Sequence, residues 1–281
     1  MEIEKQNASQ FWSKSPAGWS HAPNESPGEK EYFEKVKHLR NTHELRTLLD
    51  TIPFKSFAKK KVLELGCGQG FDAYEFCLNQ CDYTGIDIAT ENIKRAKQNL
   101  SYYGFNPEIH LGDAENLPFS DHTYDIVYSN GVLHHTPNMK QSFKETNRVL
   151  KKDGEFYVIL YHKHSIFYIL TAFLLEHILK GGIFKYSMKK RRSMIESSIN
   201  SEYAPAVLVN VYTKRKLKKL LKQSGFHVFD LWVRKLELAD FPCQRLMKHI
   251  WPNLSPRFVH WLEKHWGWYV VGHAIKKPHK S

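Results

Sequence analysis

"VLELGCGQGFD", residues 62–72, decides how this chain is read. A short apolar run ends in three alternating glycines, Gly66, Gly68 and Gly70, with Glu64 just ahead of them. Glycine has no Cβ and reaches positive φ at little cost, so such a loop lets backbone approach a ligand closely. A dinucleotide fingerprint needs G-x-G-x-x-G, whereas here Phe71 stands where the third glycine would be. Glu64 weighs more. A carboxylate two residues ahead of the loop is a poor neighbour for a pyrophosphate and suits a ligand bearing an ammonium and a sulfonium.

Outward from the loop the pattern alternates. "KKVLELG" is a buried strand, and "FDAYEFCLNQ" is the helix that the loop opens. "DYTGID" is a strand and "TENIKRAKQNLSYYG" a helix, with Thr90 as N-cap and Gly104 closing it. "EIHLGD" and "TYDIVYSN" are strands, "MKQSFKETNRVLKKDG" a helix and "EFYVILYH" a strand. Units of this spacing predict an α/β fold, a doubly wound, mostly parallel sheet with helices on both faces. After Tyr161 the rhythm breaks, and residues 163–208 are too long for a connection in a compact sheet, so a helical cap insertion is expected there. The alternation resumes with "KRKLKKLLKQSGF" and "HVFDLWVR"; a Trp-rich segment (Trp251, Trp261, Trp266) and a last strand, "WYVVGHAIKK", follow. Residues 1–30, with Pro16, Pro23 and Pro27, read as an irregular arm, and residues 30–50 as one or two helices. The expected organisation is therefore an arm and first helix over 1–40 and one domain over 41–281.

Composition narrows the classes. The 281 residues are 42% hydrophobic and 14% aromatic, enough for a sizeable core and unlike a disordered chain. Cys77 and Cys81 form C-x3-C, but Thr84 occupies the place of a third iron–sulfur cysteine, and no second Cys/His pair has zinc spacing. No metal is expected. The four cysteines read as thiols in a reducing compartment. The amino terminus lacks a basic-then-apolar signal pattern, and the clean apolar run Ile166–Leu175 is well short of the roughly 20 residues of a membrane-spanning helix. A cytoplasmic location is expected. The net charge of +12 favours an anionic neighbour or simply a lysine-rich surface.

Asp87 closes the second strand 21 residues after Gly66, where an acid accepts from ribose hydroxyls of any adenosine ligand. Asp113 ends the third strand where an adenine edge would lie. With "ELGCGQG", "GID", "GDAENLPF", "YDIVYSNGVLHH" and "RVLKKDGEFYV" in this order, the chain resembles the seven-stranded, Rossmann-like S-adenosylmethionine-dependent methyltransferases. The likeness is close over residues 60–161 and looser over 210–235, and within the family the "GDAENLPF…VLHH" portion resembles quinone-biosynthesis and related small-molecule enzymes. The resemblance implies S-adenosyl-L-methionine as cofactor. It implies Glu64 and the Gly66 backbone at the methionine end, with Gly68 and Gly70 making room. It further implies Asp87 on the ribose, Ile88 along the adenine, Asp113 and Ala114 at the adenine edge, and Asn130 and Gly131 beneath the methionine. "FWSKSPAGWS" is similar to a W-x3-P-x-G segment ahead of the core in some members, which would make Trp12, Pro16 and Gly18 part of a lid.

Methyl transfer from a sulfonium is an in-line displacement in which the protein aligns the acceptor and keeps water out. A base is needed only if the acceptor stays protonated until attack. His135 and His162, each following a strand at the carboxyl edge, are the candidates; packing or helix capping are the other readings of either. Asp125 reads as a structural carboxylate at a strand edge. The insertion, with Phe167, Leu170, Phe173 and Leu174 followed by "MKKRR", has the pattern of a roof over the acceptor site or of a helix on an anionic membrane surface. The acceptor is expected to be small or lipid-like and partly apolar. An RNA methyltransferase, a nicotinamide-dependent oxidoreductase and a non-catalytic binding protein are the competing readings. DNA is not an expected partner, because no Asn/Asp-Pro-Pro-aromatic tetrapeptide is present.

Overall fold

A computed structural model describes residues 2–18, 22, 24–42, 51–170, 185, 187, 192–193 and 207–277. Seven strands form one sheet: β1 (Lys61–Leu65), β2 (Asp82–Asp87), β3 (Glu108–Leu111), β4 (Tyr124–Asn130), β5 (Leu150–Tyr161), β6 (Phe226–Arg234) and β7 (Tyr269–Lys276). Their order is β3-β2-β1-β4-β5-β7-β6. The first five run parallel, and β7 is inserted antiparallel between β5 and β6. The central strands are apolar almost throughout, β1 burying four of its five residues, as a sheet covered on both faces requires.

The helices are α1 (Glu2–Lys14), α2 (Lys30–Thr42), α3 (Phe71–Leu78), α4 (Thr90–Ser101), α5 (Met139–Val149), α6 (Lys214–Gln223), α7 (Gln244–Ile250) and α8 (Pro256–Trp266). One face of the sheet buries Leu63, Leu65, Val127, Phe156 and Val158 with Phe143 and Leu217 of α5 and α6. The other buries Val62, Ile126, Tyr128 and Ile159 with Phe76 and Ala96 of α3 and α4. Alternate strand residues thus serve opposite layers.

Three expectations shift. The amino-terminal stretch is a helix rather than an irregular arm: α1 buries Ala8 and Phe11, and Ser9 Oγ donates to the Ile88 carbonyl at 2.9 Å. Its stability comes from this docking, which local sequence does not display. The helix before β5 ends at Val149, because Asp153 adopts φ 60° and residues 150–154 already belong to the strand, across a register irregularity opposite Tyr124 and Ile126. Ala89, not Thr90, occupies the N-cap of α4; Gly104 does close that segment in left-handed conformation at φ 79°. Most of the expected cap, with Phe173, Leu174 and "MKKR", lies outside the described residues, although Phe167 packs edge-on against Trp268 at 4.8 Å. Asp125 behaves as read: it accepts from the Lys61 amide at 2.9 Å and from Lys151 Nζ at 2.8 Å.

Candidate functional site

A cleft whose empty space, counting the open solvent at its mouth, comes to about 850 Å³ lies at the carboxyl ends of β1 to β4 beneath α1. That is the edge where parallel α/β sheets bind ligands. Of the residues singled out from sequence, it brings together Gly66, Gly68, Asp87, Ile88, Asp113, Ala114, Asn130, Gly131 and His135. Glu64, Gly70 and His162 are not among its lining.

The glycine loop is stitched to β2. The amides of Gly66 and Cys67 both donate to the Ile86 carbonyl, at 2.8 and 2.9 Å, and the Gly68 amide donates to Asp87 Oδ2 at 2.9 Å. Gly66 therefore spends its N–H inside the fold. A Cβ on Gly66 would fall 2.3 Å from Val132, whereas at Gly68 and Gly131 it would meet nothing within 4 Å. Both of these open positions have positive φ, so the cradle needs glycine for its backbone as well as its space. Gly70 instead starts α3 at φ 79° and packs on Ala96, where a Cβ would lie 3.2 Å from backbone.

Asp87 accepts from the amides of Gly68 and Ala89 (2.8 Å) and from Asn92 Nδ2 (3.3 Å). Burial raises its carboxyl above the ordinary value, opposed by these donors. Asn92 also lines the cleft, and its Oδ1 is buried with no hydrogen-bond partner. Sequence reasoning passed over Asn92; its signal is a polar residue in the first turn of the helix after the acidic strand end. Lys5 of α1 was also missed. It bonds Asp113 at 2.5 Å and Glu115 at 2.8 Å, and although burial lowers its ammonium, the two carboxylates outweigh that and hold it above its usual value.

Glu64 is 2% exposed and accepts from the Tyr83 hydroxyl at 2.6 Å. Burial and the nearby negative charge of Asp72 push its carboxyl well above the usual range. Rather than lining the cleft it stands behind it, beside a second buried acid: Asp72 accepts from Arg40 (2.7 Å), the Tyr128 hydroxyl (3.0 Å) and Asn130 Nδ2 (2.9 Å). This network fixes the end of β4 to the start of α3.

The two histidine candidates separate. His135 lines the cleft, and its Nδ1 sits 2.7 Å from the Leu208 carbonyl. A carbonyl only accepts, so Nδ1 carries the proton and the lone pair is on Nε2, an atom buried in the cleft wall. Trp12 meets the ring edge-on at 5.2 Å. His162 is buried, its Nδ1 3.1 Å from the Gly267 carbonyl, and burial pushes its pKa down to about 4. It ties β5 to the start of β7.

The fit to an adenosine ligand is chemical. Acceptors (Asp87, Asn92, Asp113) gather beside the apolar walls of Ile86, Ile88 and Ala114, and among the described residues the cleft's one lysine, Lys5, is already paired with two carboxylates. A pyrophosphate would find little positive charge here. Among the described residues no cluster of His, Cys, Asp or Glu could hold a metal ion, and no helix is long and apolar enough to cross a membrane.

Residues 56–225 match the family model described as a methyltransferase domain. The chain is 32% identical over 212 residues to an uncharacterised protein of Methanocaldococcus jannaschii, covering 73% of this chain and 78% of that one. It is 30% identical to the uncharacterised methyltransferase YcgJ of Bacillus subtilis, over 48% of this chain and 54% of the relative. It is 33% identical to the phthiotriol/phenolphthiotriol dimycocerosates methyltransferase of Mycobacterium tuberculosis, and 27% to the malonyl-[acyl-carrier protein] O-methyltransferase of Legionella pneumophila. The match spans 42% and 43% of those two relatives, over 42% and 43% of this chain, so less than half the length of each partner is compared. Among solved structures, the [4+2]-cyclase SpnF shares the fold at a TM-score of 0.59 and 18% identity, covering 97% of this chain and 96% of that one. The YcgJ structure does so at 0.53 and 16%, covering 84% and 100%. Matched by the family model over more than half its length, and built on the seven-stranded sheet that its motifs foretold, the chain belongs to the class I S-adenosylmethionine-dependent methyltransferases.

Proposed function

We propose that this protein methylates a small or lipid-like, partly apolar acceptor, with S-adenosylmethionine bound in the cleft beneath α1. When bound, the cofactor supplies a methyl group on a sulfonium, an already activated donor. Asp87, held by three donors, and Asn92, with its buried acceptor oxygen, would receive ribose hydroxyls. Ile88 and Ala114 would flank the adenine and Asp113 would meet its amine. The Gly66 carbonyl, Gly68, Asn130 and Gly131 would border the methionine end, with Glu64 as a buried acid behind it.

The observation that carries the acceptor reading is His135. Its Nδ1–H is anchored on the Leu208 carbonyl, and its ring sits in the cleft wall against Trp12. The lone pair left on Nε2 would take a proton from an acceptor hydroxyl as the methyl transfers, which requires the cleft wall to open and admit the hydroxyl to this buried atom. Trp12, Val132 and Pro137 supply apolar surface near it and exclude water. The relatives named for dimycocerosates and for an acyl-carrier protein support an acceptor with apolar character.

Calorimetric titration with S-adenosylhomocysteine and, separately, NAD tests the cofactor assignment. Saturable binding of the first alone is expected. Binding of NAD alone would transfer the reading to an oxidoreductase. Methyl transfer from labelled cofactor to hydroxylated apolar acceptors then tests the acceptor class, and turnover only on charged, wholly polar acceptors would overturn it.

A further inference from the structure

The segment joining β6 to β7 carries α7 and α8, neither of which contains a fully buried residue; Met247 of α7 and Val259 and Leu262 of α8 are half-buried. Yet they carry Leu246, Ile250, Phe258, Trp261 and Trp266, with relative exposures of 59, 40, 45, 47 and 37%. Leu246 and Ile250 are one turn apart on α7. On α8 the Phe258 and Trp261 rings lie stacked at 5.8 Å, and Trp266 meets Trp261 edge-on at 5.3 Å. Single exposed apolar residues need no explanation, but five in one short segment do.

Their company is basic. Over residues 241–267 the cations Arg245, Lys248, Arg257 and Lys264 face one carboxylate, Glu263. All four cations are exposed, and among the described residues none pairs with a carboxylate. Glu263 is already engaged, accepting from the Lys235 amide at 3.0 Å and lying 3.3 Å from His260. Short helices that mix Trp, Phe, Leu and Ile with unpaired cations have the make-up of an interfacial element.

We propose that α7 and α8 form a docking surface for an anionic lipid bilayer, the apolar side chains entering the headgroup boundary and the four cations meeting lipid phosphates. Aromatic side chains settle at that boundary because their rings are amphipathic, and basic residues are drawn by the surface potential. Charge disfavours the nearest alternative: pairing two copies through this face would set four cations against four. A nucleic acid strand would use the cations and the rings, but it would leave Leu246 and Ile250 without apolar partners.

Topology gives the surface a use. The segment starts beyond Arg234 and returns at Tyr269, which pairs with Tyr161 at the carboxyl end of β5. It stands at the same sheet edge as the cleft. Beyond α8, Trp268 is buried and stacks on Tyr161 at 4.3 Å; Tyr161 lies 3.9 Å from the ring of His134, next to His135.

Flotation of the full chain with vesicles tests it without any turnover. Co-flotation with mixed phosphatidylglycerol–phosphatidylcholine vesicles, and little with pure phosphatidylcholine, is expected. Replacing any one of the four cations by Gln should weaken binding about fivefold. Phe258→Ser with Trp261→Ser should abolish it while S-adenosylhomocysteine affinity and circular dichroism stay unchanged. Absence of wild-type vesicle binding, or equal binding by these variants, would overturn the proposal. So would a dimer that dissociates in the Phe258→Ser/Trp261→Ser protein, or saturable polyuridylate binding lost in the same variants without any vesicle binding.

Discussion

At the scale of single residues, Asp87 does two things at once. It fastens the glycine loop and faces the cleft. Asp87→Ala is expected to weaken S-adenosylhomocysteine binding by at least about a hundredfold, losing charge-assisted bonds to the ligand. It also leaves the Gly68 and Ala89 amides without their acceptor, a loss of about 2–4 kcal/mol in urea unfolding. Near-normal affinity in a folded variant would remove the ribose role. His135→Gln should lower kcat on a hydroxyl acceptor about a hundredfold and flatten the acid limb of its pH profile, with cofactor affinity intact. His162→Gln should leave that limb in place, since this ring is bonded to Gly267 away from the cleft. Gly66, Gly68 and both strand-end acids could be placed at the cleft from the sequence because their positions follow from the strands they end, whereas Gly70 packs on Ala96 instead. Glu64 was only half legible. Its proximity to the loop could be read, but which buried partner it turns to, Tyr83, depends on the adjacent strand.

At the scale of elements, α1 is the part that sequence reading underrated. Its apolar stripe is thin, and its bonds reach Ile88 and Asp113, partners 79 and 108 residues away. No local pattern announces such contacts. Arg95 adds a bond to the Ser13 carbonyl at 3.0 Å. Lys5→Glu would set a third carboxylate against Asp113 and Glu115. Amide exchange over residues 2–14 should then rise about tenfold or more while the sheet amides keep their protection. Unchanged exchange would mean that Ser9, Phe11 and Arg95 hold the helix without the ion pair.

At the scale of the molecule, seven strands could be counted in the sequence, but not the insertion of β7 between β5 and β6. That order is made by antiparallel ladders of β7 with both β5 and β6, and it brings together residues far apart in the chain, such as Glu155 of β5 and His273 of β7 at 2.8 Å. Hydrogen bonding from His273 first, and from Tyr157, holds the Glu155 pKa down to about 2. A carboxyl depressed in the folded state contributes stability above its unfolded value of about 4.3 and loses it as pH falls towards 2. Glu155→Gln should therefore melt earlier than wild type at neutral pH, with the gap narrowing as pH falls through that window. A constant gap would assign the loss to packing. The shared fold of a cyclase shows why turnover, not architecture, must decide the chemistry of such a sheet.

The long reach of α1 has a consequence for the order in which this protein comes into being. Synthesis proceeds from the amino terminus, so the helix emerges before the Ile88 carbonyl and long before the Asp113 carboxylate that receive it. During that interval Ala8, Phe11 and Trp12 have no surface to cover them. Residues 2–14 are thus made before the strands that receive them yet are among the last to find their place, and the cleft gains its roof only after the strands beneath it exist.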